Sequence, residues 1–572
     1  MSVQRFCSTT HLLFLSSLRI RSVRRCDFHY AQLSTASTSA QAQEGSQLSK
    51  KDERSTHQIE AEPSSSSSNL PVPTTTPTES EVGFGVFSRL LNAVLHTAFS
   101  SSSSASAKTP AASHEEKEKE TALITDGQKR ATKTLLPKFL VQNRPTRATL
   151  DSRTRGLVRK IRQAQSGASR LLRTEELVNH LLEFPECRNS AAEEGAISVL
   201  LRYERTSRDE ALRATARECL ALLGYVSPPK GRGIKLLSID GGGTRGMMAL
   251  DILECLEEEC GGKSVQELFD CVVGSSTGAI IGCLLLGFGL PVAQARAVYR
   301  EISTKLFEQS RVYGMSGLIW SHSYYNTAEW IAMLKEAVGE RPILDTAKDK
   351  RSAKLCFVSC VVNKPRLEAF IFRNYNHPIG RQSMFPGDVR YRMWEALQAT
   401  AAAPGYFQEV KLGPWLHQDG GLFVNNPTAV GLHECKLLWP DEDVQCVLSV
   451  GTGRSILATA HQTPESTPAA SSLKEKIIKM VDSATDTEMV HITLSDLLPP
   501  GTYFRLNPYL SEAYTLDEID PAKLKQMKED ARMYLRKNNL KLKAAAWTLL
   551  RPRTLWQRIK DFLSIQRLIL FH

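Results

Sequence analysis

Gly274-Ser275-Ser276-Thr277-Gly278 has the spacing G-x-S-x-G. That spacing lets a serine sit on a sharp strand-to-helix turn, with glycines on either side to avoid collisions. A serine held there can attack a carbonyl if a neighbouring base takes its proton. The helix start beneath it favours the negative charge that develops. Five-residue matches arise by chance, so the weight lies in the context: Asp270–Val273 reads as a short buried strand and Ala279–Leu286 as an apolar helix.

Asp240-Gly241-Gly242-Gly243-Thr244-Arg245-Gly246 also lies between a strand and a helix, and contains a literal G-x-G-x-x-G. A dinucleotide-binding loop would require an acid at the end of the next strand to hold a ribose. Here that strand runs into the serine turn instead. The glycines therefore read as an oxyanion hole, with the bare N–H groups of Gly241, Gly242 and Gly243 facing a tetrahedral intermediate. Arg245 either supports this loop, attracts an anionic headgroup or caps a helix. The third piece is Asp419-Gly420-Gly421, preceded by His417 and followed by Asn425-Asn426-Pro427. A lone D-G-G is usually only a turn, and its company gives it meaning.

A base for the serine is sought among Asp419, His417, His377 and His322. The histidine triad is the common arrangement around such a serine. The offset of two residues is read as setting His417 on the other side of a strand from Asp419, which favours a serine–aspartate pair. An aspartate of ordinary pKa, about 3.9, is a weak base for a hydroxyl. Desolvation would raise it toward use.

Alternating strands and helices surround these motifs, implying a mainly parallel sheet with helices on both faces. Expected strands are Lys235–Ile239, Asp270–Val273, Leu355–Val362 and Ala369–Phe372, with Gln445–Val450 closing the set. Met247–Glu258 is the expected helix after the first. Residues 149–228 read as a small all-helical, armadillo-like module. In it Leu177, Leu181 and Leu182 form a stripe, and Ser207 with Glu210 has capping-box spacing before a run that stops at Gly224. Pro228 and Pro229 mark a boundary. A catalytic domain over 233–455 and a mostly helical region over 456–572 follow. The apolar run Ala279–Leu290 is far short of the ~20 residues a membrane span needs, and reads as core.

The chain has 572 residues, 42% hydrophobic and 23% charged, with net charge +11. Length alone implies roughly three or four structural units. The charge would serve nucleic acid, anionic membrane or acidic substrates alike. The 12 cysteines include no C-x-x-C pair and no zinc-finger spacing, so they read as reduced, mostly buried thiols with no structural metal. Residues 1–30 read as a mitochondrial targeting segment: residues 1–26 have no acid but carry Arg5, Arg19, Arg21, Arg24 and Arg25 among Ser, Leu and Phe. The alternative address is the endoplasmic reticulum or another intracellular membrane. Residues 31–148 are Ser-, Thr-, Pro- and Glu-rich and read as disordered. Within them residues 84–99 carry Phe87, Leu90, Leu91, Val94 and Leu95 at helical spacing.

Taken in order, Asp-Gly-Gly-Gly-Thr-Arg-Gly, Gly-Ser-Ser-Thr-Gly, Trp394-Glu395-Ala396 leading into Ala399-Thr400-Ala401-Ala402-Ala403-Pro404, and Asp419-Gly420-Gly421 resemble the patatin-like phospholipase family. The resemblance covers about residues 233–453. The helical module and the segment Tyr503-Phe504-Arg505-Leu506-Asn507-Pro508 are most similar to its calcium-independent A2 enzymes of the gamma type. It implies a patatin-like three-layer α/β/α domain, with Ser276 as nucleophile, Asp419 as base and Gly241–Gly243 as oxyanion loop. It also implies hydrolysis of acyl esters of membrane glycerophospholipids through an acyl-enzyme, without cofactor or metal. The expected partner is a phospholipid membrane bound peripherally, not nucleic acid. No D-x-[DN]-x-[DN]-G calcium loop occurs. Neutral-lipid hydrolysis and acyl transfer stay open, because the same acyl-enzyme can hand its acyl group to water or to an alcohol. A non-catalytic membrane scaffold would have lost the serine, the aspartate or the glycines, and all are present. Some relatives end in Ser-Lys-Leu, whereas this chain ends Leu570-Phe571-His572, so a peroxisomal address is not expected. Leu555, Trp556, Ile559, Phe562 and Leu563 line one side of a final helix that carries Arg558, Lys560 and Arg567 elsewhere. Such a helix either lies on a membrane or packs on the body.

Overall fold

The computed structural model describes residues 145–308, 325–455 and 487–570. The expected targeting segment, nearly all of the polar linker with its 84–99 helix, and His322 lie outside them. Four helices, Arg147–Gln163, Gly167–Glu183, Ala196–Thr206 and Glu210–Leu223, make the module, with the short Arg188–Glu193 between the second and third. Leu177, Leu181, Leu200, Leu212 and Leu222 are buried in their shared core. Its caps follow local chemistry: the Thr146 and Ser166 hydroxyls accept from the N–H of Thr149 and Ser169. The expected Ser207–Glu210 capping box does not form. Ser207 ends the preceding helix, and Asp209 caps the next by accepting from Ala211 N–H at 2.9 Å. The final stop is Gly224, in the left-handed region at φ 80°.

Eleven strands follow among the described residues: β1 Ile234–Ile239, β2 Cys271–Ser275, β3 Lys354–Val361, β4 Glu368–Arg373, β5 Gly387–Asp388, β6 Val410–Leu412, β7 Trp415–Asp419, β8 Val444–Val450, β9 Arg454–Ser455, β10 Tyr503–Leu506 and β11 Tyr509–Leu510. The main sheet runs β10-β8-β1-β2-β3-β4-β5. Pairing is parallel from β10 through β3, whereas β4 is antiparallel to β3. Strand period explains the layers: Leu237, Ile239 and Val272 pack on one face, and Ile234, Leu236, Cys271 and Val273 on the other. Helices cover both, so the three-layer α/β/α arrangement is present. The expected last strand is not the edge, because β10 lies outside β8 and carries Arg505 into the sheet. The Thr277–Gly282 helix widens into a π-type turn over Cys283–Gly287, all of it buried. No described helix is long and apolar enough to cross a membrane.

The Leu555–Leu570 helix divides its apolar residues between two uses. Ile565 is buried, and Leu568 and Ile569 pack against the module core. Leu555, Trp556, Ile559, Phe562 and Leu563 remain exposed. Arg553 braces this helix, bonding Asp561 at 2.7 Å and Glu442 at 2.6 Å.

β4 is tied to the Thr428–Leu438 helix by one buried carboxylate. Glu434 accepts from Arg373 at 2.7 and 2.8 Å, from Tyr375 at 2.8 Å and from Ser383 at 2.6 Å. Burial alone would raise its pKa, but hydrogen bonds and charge from His377 and Arg373 hold it well below the usual range. Its stabilising effect is therefore present at neutral pH and fades as pH falls through the acid range. Replacing Glu434 by Ala leaves Arg373 buried without its carboxylate, and we expect a loss of about 3–5 kcal/mol in urea unfolding. A loss below about 1 kcal/mol would show that the cluster does not hold these elements together.

A candidate serine–aspartate site

β2 pairs with β3 as far as Ser275 opposite Val358, and β7 continues from Asp419 opposite Ser359. β4 occupies the other edge of β3. β2 and β7 therefore share one edge of β3 with their carboxyl ends converging, since β7 runs antiparallel. Ser276 and Asp419 meet at that junction. Ser276 Oγ donates to Asp419 Oδ2 at 2.5 Å.

Ser276 sits at φ 52°, ψ −123°, the one non-glycine residue with positive φ among those described. Such backbone strain persists only where its surroundings over-determine it. Here the Ser276 N–H donates to Thr400 Oγ1 at 2.9 Å, and that hydroxyl donates to Val358 O at 2.5 Å. A Cβ at Gly278 would lie 2.1 Å from Ile239 O, and one at Gly274 would lie 2.4 Å from the carbonyl carbon of Gly278. The motif glycines serve close approach rather than unusual dihedrals.

Asp419 is buried. Its Oδ1 accepts from Gly421 N–H at 2.7 Å. Burial pushes its pKa up to about 6, against the opposing hydrogen bonds from Ser276 and Gly421. Gly420 permits this turn, because a Cβ there would meet Val358 O at 2.1 Å.

None of the described histidines reaches the pair. The expectation that His417 faces away from Asp419 is corrected in its reason. Residues two apart share a strand face, but lie roughly 7 Å apart along it. His417 Nδ1 bonds Ser359 Oγ at 2.9 Å, and its ring packs on Phe370 and Phe372. Burial drives its pKa down to about 4. His377 is paired with Glu434 at 2.9 Å.

The glycine loop lies alongside. Gly241 N–H is already donated to Asn425 O at 3.2 Å, and Thr452 Oγ1 donates to Gly241 O at 2.6 Å. The N–H groups of Gly242 and Gly243, by contrast, have no hydrogen-bond partner among the described residues. Gly243 needs its left-handed φ of 56°, and a Cβ there would strike Leu516 O at 2.0 Å. Arg245 Nε donates to Gly242 O at 3.3 Å, supporting the loop, and Arg245 also lines the cleft. Ile280, Tyr299, Leu306, Phe307, Trp330 and Phe407 make the largely apolar wall of the cleft. Among the described residues no group of three or more His, Cys, Asp or Glu is placed to hold a metal ion.

Sequence reading missed Thr400 and Arg505 as supports of the site. Arg505 donates to both oxygens of Asp240 at 2.9 and 2.6 Å, with both side chains 3% exposed, and so anchors the glycine loop to β10. A signal was present: an arginine inside the otherwise apolar strand Tyr503–Leu506 demands a buried partner. Arg505→Gln strands the Asp240 carboxylate, and we expect a loss of about 3–5 kcal/mol in chemical denaturation. Adding Asp240→Asn should recover part of that loss, whereas strictly additive losses would refute the coupling.

The patatin-like phospholipase profile matches residues 237–432. Calcium-independent phospholipase A2-gamma of Oryctolagus cuniculus is 44% identical over 421 residues, covering 73% of this chain and 53% of that protein. The Homo sapiens protein of the same name matches to the same extent. Phospholipase A I of Arabidopsis thaliana is 26% identical, covering 61% of this chain and 29% of that protein. The chain thus spans about half the length of the gamma-type relatives it matches. The solved structure of VipD from Legionella pneumophila covers 59% of this chain and 75% of that one at 14% identity, with a TM-score of 0.28. At that value the assignment rests on sequence. Residues 237–432 are a patatin domain, and through it this chain belongs to the patatin-like phospholipase family.

Proposed function

We propose that this chain is a calcium-independent serine phospholipase, cleaving fatty-acyl esters of membrane glycerophospholipids to free fatty acid and lysophospholipid. The observation that carries this reading is the 2.5 Å hydrogen bond from Ser276 Oγ to Asp419, made beside an apolar cleft. Ser276 Oγ attacks the ester carbonyl as Asp419 takes its proton, and Gly242 and Gly243 N–H stabilise the oxyanion. The proton then passes to the leaving alkoxide. Water, deprotonated by Asp419, cleaves the acyl-enzyme. An aspartate with a pKa of about 6 suits this role, being ionised at neutral pH yet more basic than an exposed carboxylate.

A fluorophosphonate probe should label the wild type and leave Ser276→Ala unlabelled. Asp419→Asn should lose hydrolysis, and His417→Ala should keep its labelling; the reverse pair of results would require a histidine base. Because Asp419 must be ionised to accept a proton, kcat/KM should fall as pH drops below about 6. The linkage sign is opposite for stability. A raised folded pKa contributes stability below the unfolded value, and this is lost as pH rises through the folded one. Asp419→Asn should therefore melt higher than wild type at pH 7 while being inactive. Mass-spectrometric product analysis on defined phospholipids tests the substrate class, and transfer of acyl groups to added alcohols would redirect it to acyl transfer.

The exposed apolar side of the Leu555–Leu570 helix, with Arg558, Lys560 and Arg567, supports peripheral binding to anionic membranes. Trp556→Ser with Phe562→Ser leaves the docked residues Ile565, Leu568 and Ile569 in place. It should weaken binding to anionic vesicles by about tenfold or more. Unchanged binding would remove this helix from the interface. The acid-free arginines of residues 1–26 support a mitochondrial address, checked by locating the tagged chain in cells.

A further inference from the structure

A second recess of about 560 Å³ opens between the helical module, the amino-terminal ends of β1–β3 and the terminal helix. It lies at the opposite end of the strands from Ser276, because Asp270 immediately precedes β2 and Ser276 immediately follows it. Six cationic side chains line it, Arg205, Arg213, Arg217, Lys230, Lys350 and Lys354, against three carboxylates, Glu204, Asp270 and Asp349. Two of those carboxylates are engaged by backbone: Asp270 accepts from Lys230 N–H at 2.7 Å and Lys235 N–H at 2.9 Å, and Asp349 from Arg351 N–H at 2.8 Å.

Arg213 and Arg217 are paired with Glu210 at 2.9 and 2.5 Å, whereas the other four cations make no ion pair with a described residue. Lys230 Nζ donates to the carbonyls of Gln266, Phe269 and Arg351 at 2.7, 2.8 and 3.3 Å, so it contributes its charge rather than a free donor. Lys354 Nζ lies 5.8 Å from the centre of the Tyr375 ring and makes no hydrogen bond to a described residue. Burial pushes both amines down to about 8. Arg217 Nη1 is buried without a hydrogen-bond partner, although Nη2 of the same guanidinium donates to Glu210 at 2.5 Å and Nε donates to Lys348 O at 2.6 Å. At the exposed rim Arg205 and Lys350 make no ion pair with a described residue. Unmatched cations in a partly desolvated recess are costly unless an anion neutralises them. Donors left open on the module, at Arg205 and Arg217 Nη1, and on Lys350 and Lys354 at the approach to β3 suit an anion with several acceptor oxygens rather than a single carboxylate.

We propose that this recess binds a phosphate-bearing anion, at a site separate from the Ser276 cleft. A soluble phosphate and a phospholipid headgroup share that chemistry, and the experiment distinguishes them. Inorganic pyrophosphate is titrated into the full chain by calorimetry at fixed ionic strength. Saturable binding is expected, weakened about tenfold or more by Arg205→Gln with Lys350→Gln, and likewise by Lys354→Met. Arg245→Gln, in the Ser276 cleft, should bind as wild type. The rim pair is exposed, so an unchanged melting midpoint keeps the test readable even if Lys354→Met unfolds. Pyrophosphate that also displaces the wild type from phosphatidic-acid vesicles, and fails to displace the rim variant, assigns a lipid headgroup; saturable binding without displacement assigns a soluble phosphate. Binding weaker than about 1 mM, rim variants that bind as wild type, or loss of binding in Arg245→Gln would each overturn the proposal.

Discussion

The site depends on two strands sharing one edge of a third. β2 leaves β3 at Ser275 and β7 takes over at Asp419, so the two chain ends face each other across a single residue step. Nothing else brings a hydroxyl and a carboxylate from positions 276 and 419 to 2.5 Å. The strained serine, the small residues around it and the turn after Asp419 all follow from that crowding. Side chains at Gly274, Gly278 or Gly420 would overlap backbone that the junction requires.

Desolvation then gives two neighbouring titratable groups opposite fates. Asp419 and His417 stand on the same strand and are both buried. Removing water disfavours the charged form of each, raising the carboxyl and lowering the imidazole. The aspartate becomes a better proton acceptor. The histidine becomes a neutral packing group between Phe370, Phe372 and Ser359. The absence of a described histidine beside Ser276 is thus an electrostatic and packing outcome of this core, and the proposed serine–aspartate mechanism rests on it.

Residues 487–570 pack against the elements that position the glycine loop. β10 extends the sheet beside β8, Arg505 fixes Asp240, and Leu516 O accepts from Thr244 N–H at 2.8 Å behind the glycine loop. The terminal helix reaches back to the helical module. A domain drawn from its motifs alone would omit these clamps, although the loop they hold is the one facing the serine.

Local features were legible in the chain itself. The strand–turn–helix around Ser276, the apolar periodicity of β1, β2, β3 and β8, the module helices and the Gly224 stop all depend on neighbours within a few residues, where side-chain size and backbone freedom decide. The Asp419 assignment rested on family resemblance, and its reason from strand geometry was mistaken. Tertiary structure alone decided which side chain meets the Ser276 hydroxyl, that Gly241 has already spent its N–H on Asn425, and that Arg505 answers Asp240. Those outcomes depend on register between strands separated by more than a hundred residues, and on how much water each group loses on burial. Neither quantity is written in the local pattern of any one segment.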